Sequence, residues 1–414
     1  MLNSTYKFTL NPIAAKMPAK YARRVIISKL SLKNWRNFEN VEIDLEDRVF
    51  VVGPNASGKS NFLDVFKFLR DVALPRGGLQ EAISQRGGIP KLRCLSARKE
   101  TDVSITVELK NPGAEYFTWR YSIGIKLEQR GSREPYLVHE QVWKDGNPTP
   151  ILDRPNDADK LDTRRKTQTY LEQVSANQNF REIADFFQQV NYLHLVPQLI
   201  KYPDAFAGKK LAGDPFGADF LVSVARATPK VREIRLRKIQ RALEQVVPQF
   251  GGLEYRPDAA TGVPHLQVKF NHWRGIPSNQ REDQFSDGTL RLIGLLWSLL
   301  SGDSLLLLEE PELSLHAGIV SQLAPLIHRL QKTKAGKRQI ILSTHSEALL
   351  SHASIDPREV LMLVPDTKSG STQILPASSD KQIEELLKGG MNIAEAVMPR
   401  TRTRETHQLL MEFQ

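Results

Sequence analysis

The sequence predicts an α/β fold: a mixed sheet whose parallel part is covered by helices, an antiparallel sheet added to one side, and an inserted, mostly helical lobe. Three observations carry that reading. A short apolar run, Val49 to Val52, leads through a Gly-containing loop into Phe62, Leu63, Phe66 and Leu69 at helical spacing. Two later runs, Leu305 to Glu309 and Gln339 to Ser343, are apolar along their length and alternate with helix-like segments, as buried parallel strands do. Between residues 102 and 126, VSITVEL and FTWRYSIGIKL alternate in the manner of antiparallel strands.

Composition narrows the class. A chain of 414 residues, 40% hydrophobic and 25% charged, with 25 Gly and 24 Pro, reads as a globular protein of two or three lobes rather than a fibre or a disordered chain. Its longest apolar stretch, near Leu292 to Leu300, is cut by Ser301, Gly302 and Asp303, well short of the ~20 residues a membrane span needs. The single cysteine, Cys94, excludes an intrachain disulfide and a cysteine-based zinc cluster, and fits a reducing, cytoplasmic setting. A formal net charge of +10 points to a polyanionic neighbour or to a basic solvated surface, and composition does not choose between them.

Residues 1–24 carry Lys7, Lys16, Lys20, Arg23 and Arg24 without an acid and read as a basic arm. Residues 25–150 open with VIISKLSLKNW and NVEIDL, strand-like runs joined by a polar turn, and hold the strand–loop–helix unit and the antiparallel sheet. Residues 151–250 read as the inserted lobe. It begins with DRPNDADKLDTRRKTQTY, a polar surface insertion, followed by helical stretches over 169–190 and 218–247 that flank YLHLVPQLIKYP. Neither stretch sustains the heptads of a long coiled coil. Residues 251–414 return to strands over 253–270, then an apolar helix after Gln284, the strand ending at Glu309, a helix over 318–331 and the strand ending at Ser343.

Gly53-Pro54-Asn55-Ala56-Ser57-Gly58-Lys59-Ser60 satisfies G-x-x-x-x-G-K-[ST] between a buried strand and a helix, where the mechanism requires it. Small residues let backbone N–H groups turn inward around nucleotide phosphates, and the positive end of the following helix adds attraction. Gly53, Asn55, Ser57, Gly58, Lys59, Ser60 and Asn61 are therefore the expected ATP-binding residues. Lys59 would meet the β and γ phosphates, and Ser60 would offer a hydroxyl to Mg²⁺, which takes hard oxygen ligands.

The leucines before Glu309-Glu310-Pro311-Glu312 would deliver carboxylates to the edge of a sheet. Glu309 stands at the metal-side position, and Glu310 where a group could polarise an attacking water. A solvated acidic helix start is the competing reading, but it would leave a run of leucines facing water. Ser286-Asp287-Gly288 before an apolar helix is by itself ordinary capping chemistry. Its place, one helix and one turn before Glu309, makes Ser286 and Gly288 nucleotide candidates. His345, at the end of the apolar strand IILST, is either structural or a sensor of the γ phosphate.

In this order the four elements resemble the ABC-type ATPase heads of the SMC, RecF and OLD (overcoming lysogenization defect) group, above all the stand-alone ATPases grouped as AAA-21 or OLD-like. ISKLSLKNWRNFENVEIDL through VFVVGPNASGKSNFLDVFKFLRD, then QFSDGTLRL, LLLLEEPELSLH and ILSTHSEALL, carry the likeness over about a third of the chain. The resemblance implies a P-loop NTPase fold of the ABC head type and two heads that sandwich ATP and Mg²⁺, Ser286 and Gly288 of one reaching the γ phosphate held by Lys59 of the other. It makes Lys59, Glu310 and His345 the catalytic set, and Ser60, Glu309 and Gln198 the metal side, with Gln85 as rival to Gln198. It also places His316 at the dimer seam and Arg36 and Asn37 near the nucleotide.

The sequence departs from the group in reading Glu309 for the usual Asp and Ser-Asp-Gly for Ser-Gly-Gly. It also lacks long coiled coils, and it has no room after His345 for the toprim nuclease of full OLD proteins. The implied function is an ATP hydrolase, a homodimer or higher oligomer, that controls a nuclease or toxin supplied in trans in prokaryotic antiviral defence. The alternative is a DNA repair or chromosome-maintenance ATPase. Arg226, Lys230, Arg232, Arg235, Arg237, Lys238 and Arg241 against Glu233 alone could contact nucleic acid or an acidic protein, or form a solvated face. The energising subunit of a membrane transporter is disfavoured by the long separation of Lys59 from Ser286.

Overall fold

The computed structural model describes residues 25–97, 101–128, 134–202, 216–271, 278–332, 338–366 and 368–401. The basic arm expected over residues 1–24 lies outside them. β1 (Ile26–Trp35) and β2 (Phe38–Asp44) form a hairpin whose alternate residues are buried, and the chain then enters β3 (Arg48–Val52), buried throughout. α1 (Lys59–Ala73) follows, with Phe62, Leu63, Phe66 and Leu69 all buried. β4 (Val103–Lys110), β5 (Trp119–Leu127), β6 (Pro135–Lys144) and β7 (Leu152–Arg154) extend the hairpin into a six-stranded antiparallel sheet, order β2-β1-β4-β5-β6-β7.

The central sheet holds β3 together with β8 (Asn191–Leu193), β12 (Leu306–Glu309), β13 (Ile340–Thr344), β14 (Val360–Pro365) and β15 (Thr372–Pro376). Its order is β15-β14-β3-β13-β12-β8, parallel except for β15. Between β8 and β12 the chain builds a small antiparallel sheet from β9 (Phe250–Tyr255), β10 (Leu266–Phe270) and β11 (Ser278–Arg281). Leu306, Leu307 and Leu308 are wholly buried, each side chain contributing roughly 1.5–3 kcal/mol.

Four details differ from the sequence reading. Residues 191–193, expected inside the inserted lobe, form an edge strand of the central sheet. Over 169–190 only Arg181–Gln188 is α-helical; before it the chain turns, because Glu172 accepts the Thr169 N–H at 2.6 Å and the Thr169 hydroxyl accepts the Glu172 N–H at 3.2 Å. The helix expected over 318–331 is two pieces, Ala317–Val320 and Leu323–Gln331. The polar insertion is not all surface: Arg154 and Asp159 are buried, Arg154 pairing with Glu140 and Asp159 at 2.8 Å each. Pairing lets these charges leave water.

No helix among the described residues is long and apolar enough to cross a membrane.

Candidate functional site

β3 ends in the phosphate loop, which turns with Ala56 at φ +61° and Gly58 at φ +99° before α1 begins at Lys59. Gly58 is needed there twice over, since its φ favours glycine and a Cβ would lie 2.2 Å from Asn37 Nδ2. Asn37 braces the loop, donating to the Ser57 carbonyl at 2.9 Å and to the Thr372 hydroxyl at 2.8 Å, and accepting from Asn61 at 2.8 Å. Arg36, expected near the nucleotide, pairs with Asp64 at 2.7 Å. Asn55 is exposed on the loop, and Gly53 is buried with a would-be Cβ 2.5 Å from Ser57 Oγ.

Lys59 folds back on its own loop, donating to the Gly53 carbonyl at 3.0 Å and the Pro54 carbonyl at 3.2 Å. Burial pulls its ammonium below the ordinary value, opposed by the charges of Glu310, Glu312 and Glu309. Ser57 Oγ is buried with no hydrogen-bond partner, an orphan polar atom inside the cradle.

The parallel register of β3, β13, β12 and β8 brings the acids to the same edge as the phosphate loop. The Ser60 hydroxyl donates to Glu309 Oε1, and the Tyr192 hydroxyl donates to Glu309 Oε2. His194 Nδ1 lies 3.3 Å from the Glu309 carbonyl. Burial first, then the Glu309 charge, pushes the Tyr192 phenol far above its ordinary value, so it stays a donor. Ser60 and Glu309 are hard oxygen donors and fit Mg²⁺.

Glu310 sits at φ +44°, a conformation few non-glycine residues adopt, and its N–H donates to the Ser343 carbonyl at 3.0 Å. His345 Nδ1 lies 3.4 Å from Glu310 Oε1 and 3.7 Å from Glu312 Oε1. Glu312 is buried; its Oε1 accepts from the Thr344 hydroxyl at 2.6 Å and the His345 N–H at 3.1 Å, while Oε2 is unpartnered. Burial raises its carboxyl above the usual range, against the hydrogen bonds it accepts.

The signature loop is built separately. Ser286 is exposed and caps the helix Asp287–Leu299, accepting the Thr289 N–H at 3.1 Å. Gly288 packs against the loop after the acids, where a Cβ would lie 2.5 Å from the Ser314 carbonyl oxygen. His316 is exposed nearby in sequence, capping the helix Ala317–Val320. Among the described residues no hydrogen bond or ion pair joins Ser286 or Gly288 to the phosphate loop.

Among the described residues no hydrogen bond joins Gln198 to Ser60 or Glu309. Gln198 donates to Asp287 Oδ2 at 2.8 Å, and Gln85 donates to Glu81 in its own helix at 2.9 Å. Tyr192, His194 and Glu312 were absent from the expected site. Tyr192 sits on a three-residue strand with no periodicity to announce it and His194 directly follows that strand, while Glu312 was legible only as the third acid of the run.

The family described as "AAA domain, putative AbiEii toxin, Type IV TA system" matches residues 48–351, which span the phosphate loop, the signature loop, both acids and His345. The chain belongs to this AAA-21 family. Over 84 residues it is 30% identical to the endonuclease GajA of Bacillus cereus (strain VD045), a match covering 20% of this chain and 13% of that protein. Over 46 residues it is 41% identical to the DNA replication and repair protein RecF of Bacillus thuringiensis (strain Al Hakam), covering 11% of this chain and 12% of RecF. The matches therefore span only about an eighth of these relatives. An SMC head solved with the C-winged helix domain of ScpA superposes with a TM-score of 0.50 at 14% identity, covering 84% of this chain and 97% of that one. The fold of this AAA-21 member is thus the SMC-like ABC ATPase head, and the chain is an ATPase-family protein of the OLD, RecF and SMC type.

Proposed function

We propose that the protein hydrolyses ATP between two copies of itself and uses the closure to control a partner effector. The observation that carries the reading is the convergence of Ser60, Glu309, Glu310 and His345 on one edge of the parallel sheet beside Lys59. In it, Lys59 leaves the Gly53 and Pro54 carbonyls for the β and γ phosphates, and the inward N–H groups of the loop bind the remaining oxygens. Ser60 and Glu309 would hold Mg²⁺, which would supply positive charge to the phosphates. Glu310 orients the attacking water and takes its proton, while His345, kept beside Glu310, holds the γ-phosphate side. Ser286, exposed, and Gly288, half-buried, close the site of the second copy.

The effector is proposed to be a nuclease or toxin in antiviral defence. Support comes from the family description, which names a toxin, and from the partial likeness to the endonuclease GajA. Glu310→Gln should keep ATP affinity and lose turnover by about a hundredfold or more, whereas Lys59→Ala should lose affinity. Unchanged hydrolysis in Glu310→Gln would refute its role.

A second reading, direct action on DNA, is favoured by one surface. On Phe220–Arg226 and Pro229–Glu244, Arg226, Lys230, Arg237, Lys238 and Arg241 are exposed, while Leu236, Ile239 and Leu243 anchor the second helix. Arg232 and Arg235 instead stack on Tyr255 and Trp297 at 4.0 and 5.2 Å. Salt-sensitive duplex binding with stimulated hydrolysis would select this reading.

A further inference from the structure

We infer that Tyr192 is the positioning residue that makes Glu309 a competent metal-side carboxylate. The inference rests on the proposed nucleotide site and extends it. A glutamate has one more rotatable bond than the aspartate usual at this position, so its carboxylate needs an external constraint to present one oxygen in a fixed direction. Tyr192 provides it: the phenol donates to Glu309 Oε2, leaving Oε1 facing the Ser60 hydroxyl.

The phenol is itself immobilised. Tyr192 is 5% exposed on β8, paired in parallel with Leu307 of β12, two residues before Glu309. Lys67 Nζ, two turns after Ser60 on α1, lies 3.9 Å from the centre of its ring. The helix that carries Ser60 and the strand that carries Glu309 are therefore braced by one aromatic side chain. His194, the residue after β8, has Nδ1 3.3 Å from the Glu309 carbonyl, so side chain and backbone of the acid are both contacted from residues 192–194. Outer-sphere partners of metal ligands typically change metal affinity by 10–100-fold when removed.

The test measures binding, not turnover. A fluorescent ATP analogue is titrated into the full chain in EDTA and in Mg²⁺, and the ratio of the two Kd values reports how strongly metal and nucleotide reinforce each other. Tyr192→Phe, which keeps the ring under Lys67 and removes only the hydroxyl, should lower that ratio roughly tenfold while the Kd in EDTA stays at the wild-type value. Glu309→Asp should lower it too, and adding Tyr192→Phe to Glu309→Asp should cost little more, because the shorter acid has already left the phenol. A Tyr192→Phe ratio equal to wild type overturns the inference, as does a loss that falls equally on the EDTA value, which marks a merely structural role. If wild type itself shows no metal-dependent nucleotide binding, it is the nucleotide-site reading that fails. A wild-type ratio above one with Tyr192→Phe unchanged fails the positioning role alone.

Discussion

The side-chain amide of Gln198 donates to Asp287 at 2.8 Å, and Lys201 Nζ reaches the other oxygen of the same carboxylate at 2.6 Å. The glutamine expected on the cation side of the site thus hydrogen-bonds the signature loop from the helix Pro197–Lys201. Asp287 replaces a glycine of the usual loop and places a negative charge beside Ser286, where the proposed closure would bring the γ phosphate of a second copy. Like charges there would oppose closure unless the acid is neutralised. Lys201→Ala should therefore leave nucleotide binding by a single head unchanged and weaken ATP-driven association by about tenfold, the effect of ~1.4 kcal/mol. Sedimentation in the Glu310→Gln background measures it.

The antiparallel sheet makes a separate prediction about stability. Arg154 is buried between Glu140 and Asp159, donates to the Gln168 and Arg165 carbonyls at 3.0 and 2.9 Å, and lies 4.0 Å over the Tyr170 ring. Arg154→Ala leaves Glu140 and Asp159, both buried, without the cation they share, which should cost about 3–5 kcal/mol in urea unfolding. Lys160→Ala, which breaks the solvent-exposed pair with Asp157, should leave the unfolding midpoint where it was.

Glu172 gives the fold a pH dependence. Burial, with help from Glu140, raises its carboxyl from 4.5 to about 7, against the N–H groups of Thr169 and Leu79 that it accepts. A carboxyl whose folded value is raised binds its proton more tightly in the folded state. Its contribution to stability is therefore full below about 4.5 and lost as pH rises through about 7. Glu172→Gln should remove that downward slope, so the variant gains on the wild type between these limits in urea unfolding followed against pH.

Much of this architecture was legible because it is written in patterns that read locally. Val49–Val52, Leu305–Leu308 and Ile340–Leu342 are too apolar to lie anywhere but a buried sheet, and the loop between Gly53 and Ser60 has glycines where the backbone must turn. Tyr192, and His194 just after it, were hidden because β8 is three residues long and is aligned by its pairing with β12. Arg154 and Asp159 read as surface because hydropathy counts charges one at a time, whereas burial depends on the partner, and only the pairing of β6 with β7 sets Glu140 opposite Arg154. The hydrogen bond of Gln198 to Asp287 was not legible, because a glutamine's partner is set by tertiary packing rather than by local pattern.

The central claim is that one copy grips the triphosphate and another closes over it. Sedimentation velocity of Glu310→Gln with ATP and Mg²⁺, compared with the same protein carrying Ser286→Arg as well, tests it most directly. The account predicts a dimer with ATP for the first and a nucleotide-bound monomer for the second. A Glu310→Gln protein that binds ATP and stays monomeric, or a Ser286→Arg variant that dimerises just as well, would contradict it.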